Sequence, residues 1–285
     1  MELNFQIKLF IRAVFLVLIP LLAYAGQEPD FLIIGTQKGG TTSLYAYLSK
    51  HPKFLPSRLD RTRFMKQKEV HFFNKNYHKG IEWYLNLFTK KTAPGQVVGE
   101  ASPLYIFDAK TPRRVYKHFP NLKFILLLRN PVDRAFSAHR MYSKNRKRET
   151  RTFDEAVTEE LALIKNRKTP QAFRNILKKD LLLTRGIYLP QLKRWLRFFK
   201  KEQFLIIRSE DFFDDPAKTM AKVYAFLRLP PHEIKDFPIF LEGNKNKQMS
   251  DQTRATLSKF FEPYNKALQE YLTNELKLDL ILNWK

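Results

Sequence analysis

Cysteine is absent from the 285 residues, which excludes disulfides, thiolate zinc sites and cysteine nucleophiles together. Histidine is scarce, with six in all and no HExxH pair, so a metalloprotease-type zinc helix is excluded as well. Acid is in short supply: 28 Asp and Glu face 51 Lys and Arg, for a formal charge of +23. Glycine occupies only nine positions, and no Gly/Ser linker, low-complexity tract or internal repeat divides the chain. One domain with helical insertions is therefore expected, although the length also admits two small ones. What the chain has in quantity is aromatic area, with 25 Phe and 12 Tyr, far more than a disordered chain carries. So basic a surface recruits anions: nucleic acid, anionic lipid, acidic polysaccharide or a phosphorylated cofactor. No helix-turn-helix, zinc-finger or RNA-recognition signature is present, so no specific nucleic-acid partner is expected.

The only long apolar run is at the amino terminus, Leu9 to Ala25, interrupted by Arg12 and Pro20. Lys8 and Arg12 flank it, Ala13 to Leu22 form its apolar stretch, and Ala23-Tyr24-Ala25 has the small-x-small pattern of a signal-peptidase site. Its clean part falls short of the ~20 residues of a comfortable membrane span. Residues 1–26 are expected to be a cleaved signal peptide or a membrane anchor, with a core or surface helix as the third reading. The folded domain is expected over 27–285. Removing 1–26 takes away two cations and one anion, so the basicity belongs to that domain.

Phe31-Leu32-Ile33-Ile34 is a short unbroken apolar run of the kind a doubly buried strand shows. Gly35-Thr36-Gln37-Lys38-Gly39-Gly40 follows it and leads into a helical pattern from Thr41 that His51-Pro52 ends. Lys123 to Leu128 is the clearest strand, followed by Arg129-Asn130 and a helix expected from Pro131. Phe204 to Ile207 is a third strand and Val97 to Gly99 a shorter fourth. Helical patterns cover 108–118, 132–144, 152–164, 170–179, 187–200 and 216–228, and another runs from Ser250 to Leu272, bent or broken at Pro263. Alternating strands and helices predict an α/β fold: a parallel sheet flanked by helices on both faces. Two clusters of base stand out, Arg58, Arg61, Arg63, Lys66 and Lys68, then Lys144, Arg146, Lys147, Arg148 and Arg151. Either a solvated surface or an anion site accounts for them.

A strand that feeds a glycine turn into a helix makes a phosphate cradle, since free amides and the positive helix end face one point. Gly35 and Gly40 keep the mononucleotide spacing GxxxxGK[ST] and Thr42 fills the hydroxyl position. Thr41, however, stands where the lysine belongs, and the lysine is at position 38. The neighbouring strand ends in Arg129 rather than in an acid that would help hold magnesium, and a guanidinium attracts phosphate while repelling a metal. Nucleotide-triphosphate chemistry is disfavoured, and no metal is expected.

The stretch FLIIGTQKGGTTSLYAYLSKHP resembles the 5'-phosphosulfate loop of sulfotransferases that use 3'-phosphoadenosine 5'-phosphosulfate (PAPS), and KFILLLRNPVDRAFSAHRMY resembles their 3'-phosphate segment. Glu69-Val70-His71-Phe72-Phe73 is similar to the acid-bearing motif of the Golgi carbohydrate branch, the heparan sulfate sulfotransferases. GEASPLYIF at 99–107 and GIYLPQLKRWLRFF at 186–199 follow in that family's order, and the resemblance spans about residues 30–275. It implies a P-loop-like fold and sulfuryl transfer from PAPS, released as PAP, to an acceptor hydroxyl or amine. The implied acceptor is a saccharide, whether neutral or acidic.

Residue by residue, the resemblance implies that Lys38, Gly39, Gly40, Thr41 and Thr42 hold the 5' end, and that Arg129 and Ser137 hold the 3'-phosphate. Lys38 would neutralise the departing charge, Glu69 would act as base, and His71 would orient substrate or share the proton if its segment is extended. An apolar setting at Glu69 would lift a carboxylate's proton affinity toward the useful range. Glu100 and Ser102 would contact the acceptor, Tyr188 would frame the adenine, and Lys245 and Lys247 would close over the phosphates. Heparan-type relatives commonly carry a lysine where this chain has Ala101, and a disulfide that it cannot form. Two rivals stay open: a non-catalytic protein of the same fold that binds an anionic glycan or a nucleotide, and a magnesium-dependent nucleotide kinase. A secretory signal fits a Golgi-like lumen supplied with PAPS. In a bacterium the same residues would be a cytoplasm-facing anchor or a false signal, on a cytoplasmic or membrane-associated protein.

Overall fold

The computed structural model describes residues 26–57, 69–144, 149–166, 171, 172, 175, 181–238 and 248–284. Five parallel strands form one sheet: β1 (Phe31–Gly35), β2 (Phe54–Leu55), β3 (Val97–Ala101), β4 (Lys123–Leu128) and β5 (Phe204–Arg208), in the order β2-β3-β1-β4-β5. The two-residue β2 has too little patterning to be seen in the sequence.

Successive strand side chains point to opposite faces, and here both faces are covered. Leu32, Ile34, Phe124, Leu126 and Leu128 enter a core shared with Trp195 and Leu272. Their neighbours Phe31, Ile33, Ile125 and Leu127 enter a second core on the other side, with Leu44 and Val223. This is why the strand runs read as continuously apolar.

The helices that matter for the site are α1 (Thr41–Leu48), α2 (Ile81–Leu85), α3 (Thr111–His118), α4 (Pro131–Ser143), α5 (Phe153–Lys165), α6 (Tyr188–Leu196), α7 (Ser209–Asp214), α8 (Pro216–Leu227) and α9 (Asp251–Glu270). A third core, built around Val132, Ala135, Phe153, Leu257 and Phe261, packs α4 against α5 and α9. The expected helix over 170–179 lies almost wholly outside the described residues. Pro263 lies inside an unbroken α9, so of the expected bend or break the break does not occur. It is exposed, so the carbonyl it leaves unbonded faces water, while Leu257, Phe261 and Leu268 anchor both halves in the interior.

β1 and β4 are neighbours and end at the same edge, with Gly35 opposite Leu126 after an irregularity at Ile33/Gly35. The Thr36 amide continues the pairing by donating to the Leu127 carbonyl at 2.9 Å. This register places the loop after β1 beside the first residues after β4.

Candidate functional site

The loop after β1 is held by its own backbone. The Gly39 amide donates to the Thr36 carbonyl at 2.8 Å, and the Ser209 hydroxyl donates to the Gly39 carbonyl at 2.9 Å. A Cβ on Gly39 would sit 3.0 Å from the Thr36 carbonyl oxygen, so a side chain there would crowd the turn's backbone. Lys38 adopts φ 73°, left-handed backbone that is uncommon for a long side chain and costs on the order of 1–3 kcal/mol. Gly40 precedes α1 at φ 95° and offers no side-chain cap. The first amides of α1 therefore have neither an intrahelical acceptor nor a capping side chain, and the positive end of the helix faces outward from the loop.

Arg129 also reaches this loop. Its Nη1 donates to the Lys38 carbonyl at 2.8 Å, and its guanidinium lies 5.5 Å from the Phe213 ring centroid. Burial pushes the Arg129 guanidinium below its ordinary value, while Asp133, Glu210 and the Tyr188 ring oxygen act in the opposite direction. A guanidinium held in so dry a place adds strong attraction for an anion, and its fork matches phosphate geometry. α4 begins at Pro131 as expected, capped by the Asn130 side chain, which accepts from the Val132 amide at 2.9 Å.

Between the loop and α4 lies a cavity of about 480 Å³. Lys38, Gly40, Thr41 and Thr42 line one wall, Arg129 and Ser137 another, and Glu69 the rim between them. These expected residues converge on one space, although Lys38 and Arg129 stand 91 positions apart in the chain. Residues missed in the sequence line it too: Phe136, Arg140 and Phe213. Arg140 lies one turn beyond Ser137 on the same face of α4, and its Nη2 is buried with no bonded partner among the described residues. The i, i+3, i+7 spacing of Asp133, Phe136 and Arg140 is a legible helix face, but it carries no sign that it looks into a cavity rather than into solvent.

Glu69 and His71 come together by a different route from the one expected. The segment is not extended at His71, which has φ 52° and starts a π-helical turn over Phe72–Asn76. The left-handed residue folds the imidazole back, and Nε2 lies 2.9 Å from the Glu69 carboxylate.

Three expectations fall elsewhere. Glu100 and Ser102 are both 0% exposed and are not among the residues lining the cavity. They bond inward, with the Ser102 hydroxyl donating to Glu100 at 2.5 Å. Burial pushes the Glu100 carboxyl up, against the hydrogen bonds from Ser102, Tyr105, Tyr84 and the Val70 amide. Tyr188 is buried at 2% exposure, and its hydroxyl donates to the Arg129 carbonyl at 2.8 Å rather than facing the cavity. Lys245 and Lys247 lie outside the described residues, as do Arg58, Arg61, Arg63, Lys66 and Lys68 and the segment 1–25.

Comparison with known proteins follows this geometry closely. A family model described as a sulfotransferase domain matches residues 28–270. Among curated proteins, the mouse bifunctional heparan sulfate N-deacetylase/N-sulfotransferase 4 is 32% identical over 86% of this chain, which spans 30% of that protein's length. The mouse heparan sulfate glucosamine 3-O-sulfotransferase 5 is 29% identical over 84% of this chain and 70% of its own. The crystal structure of a sulfotransferase from Alicyclobacillus acidocaldarius superposes with a TM-score of 0.66 at 30% identity, covering 89% of this chain and 97% of its own.

Proposed function

Because the chain belongs to the sulfotransferase family, we propose that it transfers the sulfuryl group of PAPS to a hydroxyl or amine of a saccharide acceptor. The observation that carries this reading is a single cavity lined by the glycine loop, Arg129, Ser137 and Glu69. The residues present fit such a nucleotide: a crowded turn at Gly39, an uncapped helix start at Gly40, and a half-buried guanidinium beside them. The heparan sulfate named for two relatives supports a saccharide acceptor.

PAPS, when bound, supplies a sulfuryl group whose bond to the bridging phosphate oxygen breaks as a bond to the acceptor oxygen or nitrogen forms, leaving PAP. The work left to the chain is alignment and charge. Lys38 and the amides of Gly40, Thr41 and Thr42 hold the 5' end, while Gly39, whose own amide is engaged by the Thr36 carbonyl, shapes the turn, and the Lys38 ammonium neutralises the charge that grows on the leaving oxygen. Arg129 and Ser137 hold the 3'-phosphate and fix the distance between the two anionic ends. Glu69 takes the proton of the acceptor, and His71, bonded to its carboxylate at 2.9 Å, holds that carboxylate toward the rim. The apolar Val70, Phe72 and Phe73 around it are buried. Residues 1–26 remain in this proposal as a secretory signal or anchor that delivers the domain to a lumen where PAPS is supplied.

Transfer of labelled sulfate from PAPS to a panel of saccharides and small hydroxyl compounds tests the reading, with a chelator present throughout. The wild type is expected to transfer, and Lys38→Ala to lose about 10²-fold or more. PAP binding without transfer to any acceptor would favour the non-catalytic rival, and transfer that needs magnesium and ATP would favour a kinase.

A further inference from the structure

Glu100 stands one residue from the end of β3, opposite Leu32 of β1, with no exposed surface. Its carboxylate collects four donors. Tyr84 and Tyr105 donate to Oε1 at 3.1 and 2.8 Å, while the Ser102 hydroxyl and the Val70 amide donate to Oε2 at 2.5 and 3.3 Å. Those four fill the lone-pair positions that an ionised carboxylate offers. The network then reaches past Val70 along the same segment. The His71 amide donates to the Ser102 hydroxyl at 3.0 Å, and the Phe73 amide donates to the Tyr105 hydroxyl at 3.3 Å.

Three amides within four residues, those of Val70, His71 and Phe73, thus hang on Glu100 directly or through one hydroxyl. They belong to the stretch in which His71 takes its left-handed conformation and meets Glu69. A residue in that conformation persists only where its surroundings over-determine it, and this network supplies the constraint. The same stretch is pinned from the other side by the Asn76 amide group on the Val70 carbonyl at 2.8 Å and by Arg114 on the Phe73 carbonyl at 2.7 Å.

We infer that Glu100 is the positioning residue of the transfer site: its buried carboxylate, bonded to Val70 and relayed by Ser102 to His71, sets the turn that holds Glu69 and His71 together at the cavity rim. Two strands converge on one geometry by this means. β1 delivers the nucleotide loop, and its neighbour β3 delivers the anchor for the proton-accepting pair. The inference rests on the sulfotransferase reading above and gives the buried acid of the GEASP segment a role that does not require it to touch the acceptor.

Glu100→Gln in the full chain is the test, since it keeps the shape but puts an NH2 where two donors now find an acceptor. Four quantities are read: thermal unfolding, PAP affinity by calorimetry, transfer from PAPS to desulfated heparan polysaccharide, and the side-chain 15N spectrum of His71, assigned by its loss in His71→Asn. The expected result is cooperative unfolding, PAP affinity within about twofold of wild type, kcat lower by about 10²-fold as for a misplaced catalytic group, and loss of the hydrogen-bonded His71 signal. Glu100→Asp, which keeps the charge, is expected to recover part of the rate. Should Glu100→Gln fail to fold, Ser102→Ala removes the relay between Glu100 and the His71 amide while leaving the carboxylate with its donors from Tyr84, Tyr105 and Val70, and is read in the same four ways.

An unchanged kcat with an unchanged His71 signal overturns the inference. So does a fall in PAP affinity and rate together, which marks Glu100 as an ordinary core group. A wild type that binds PAP and transfers nothing, while Glu100→Gln still loses the His71 signal, sinks the transferase reading and leaves the positioning intact.

Discussion

The Arg129 guanidinium bonds the Lys38 carbonyl at 2.8 Å, so one side chain both braces the loop that offers one anion site and presents a charge at the other. The lysine whose backbone it braces sits at φ 73°, and the bond helps fix that conformation. Arg129→Lys keeps the charge but loses the fork and the brace. It is expected to weaken PAP binding by about 10- to 100-fold, the range of a charge-assisted hydrogen bond lost in a dry site. Calorimetric titration with PAP checks it, and wild-type affinity in the variant would show that the guanidinium does not face the nucleotide.

Gly40 carries the second constraint on the loop. At φ 95° an L-residue is strained whatever space it finds, by roughly 1–2 kcal/mol. A Cβ there would also stand 2.7 Å from Cε1 of Phe213. That ring is 46% exposed and has room to swing, but the backbone torsion cannot be relieved in the same way. Gly40→Ala is expected to lower both the melting temperature and PAP affinity. A variant that melts and binds like wild type would mean that the loop has another conformation available.

The fold was legible where burial on both faces writes itself as an unbroken apolar run, as at Phe31–Ile34 and Lys123–Leu128. It was illegible where an element is two residues long, as at Phe54–Leu55. Cradle residues were legible because glycine spacing and a strand-ending arginine are local signals. The neighbours Phe136, Arg140 and Phe213 were not, since a helix pattern does not tell a cavity-facing side from a wet one. The burial of Glu100 and Ser102 has a definite cause that the sequence hides: a carboxylate and a hydroxyl two residues apart read as surface chemistry unless the distant partners Val70 and Tyr84 are known to converge with the nearby Tyr105 on the carboxylate. His71 meets Glu69 through a left-handed turn rather than an extended segment, and single-residue left-handed turns at non-glycine positions leave no mark in the sequence.

Arg140 adds a second guanidinium to the cavity beyond the expected phosphate residues. On the proposed binding of the 3'-phosphate by Arg129 and Ser137, the Arg140 fork is left for an anionic group of the acceptor. Arg140→Ala is expected to raise KM for an acidic polysaccharide by about tenfold while leaving PAP affinity within about twofold of wild type. The increase should shrink at high salt, where surface-accessible charge pairs are screened. A fall in PAP affinity instead would assign the residue to the nucleotide.

Glu149 predicts an acid limb of stability that is separate from catalysis. Both carboxylate oxygens accept from Arg151, at 2.9 Å from Nε and 2.7 Å from Nη2, and the His139 ring of α4 bonds the Arg151 carbonyl at 3.0 Å. The pair thereby docks the turn before α5 onto the helix that carries Ser137. The Arg151 side chain, by hydrogen bonding, holds the Glu149 carboxyl down from the ordinary 4.5 to about 2. A carboxylate depressed in this way stabilises the fold above its ordinary value, and the contribution is lost as pH falls from about 4.5 through about 2. Glu149→Gln is therefore expected to melt a few degrees lower than wild type at pH 7, with the gap closing steadily below pH 4.5. Thermal unfolding of both proteins at stepped pH checks this, and a gap as wide at pH 3 as at pH 7 would show that the loss comes from packing rather than from the ion pair.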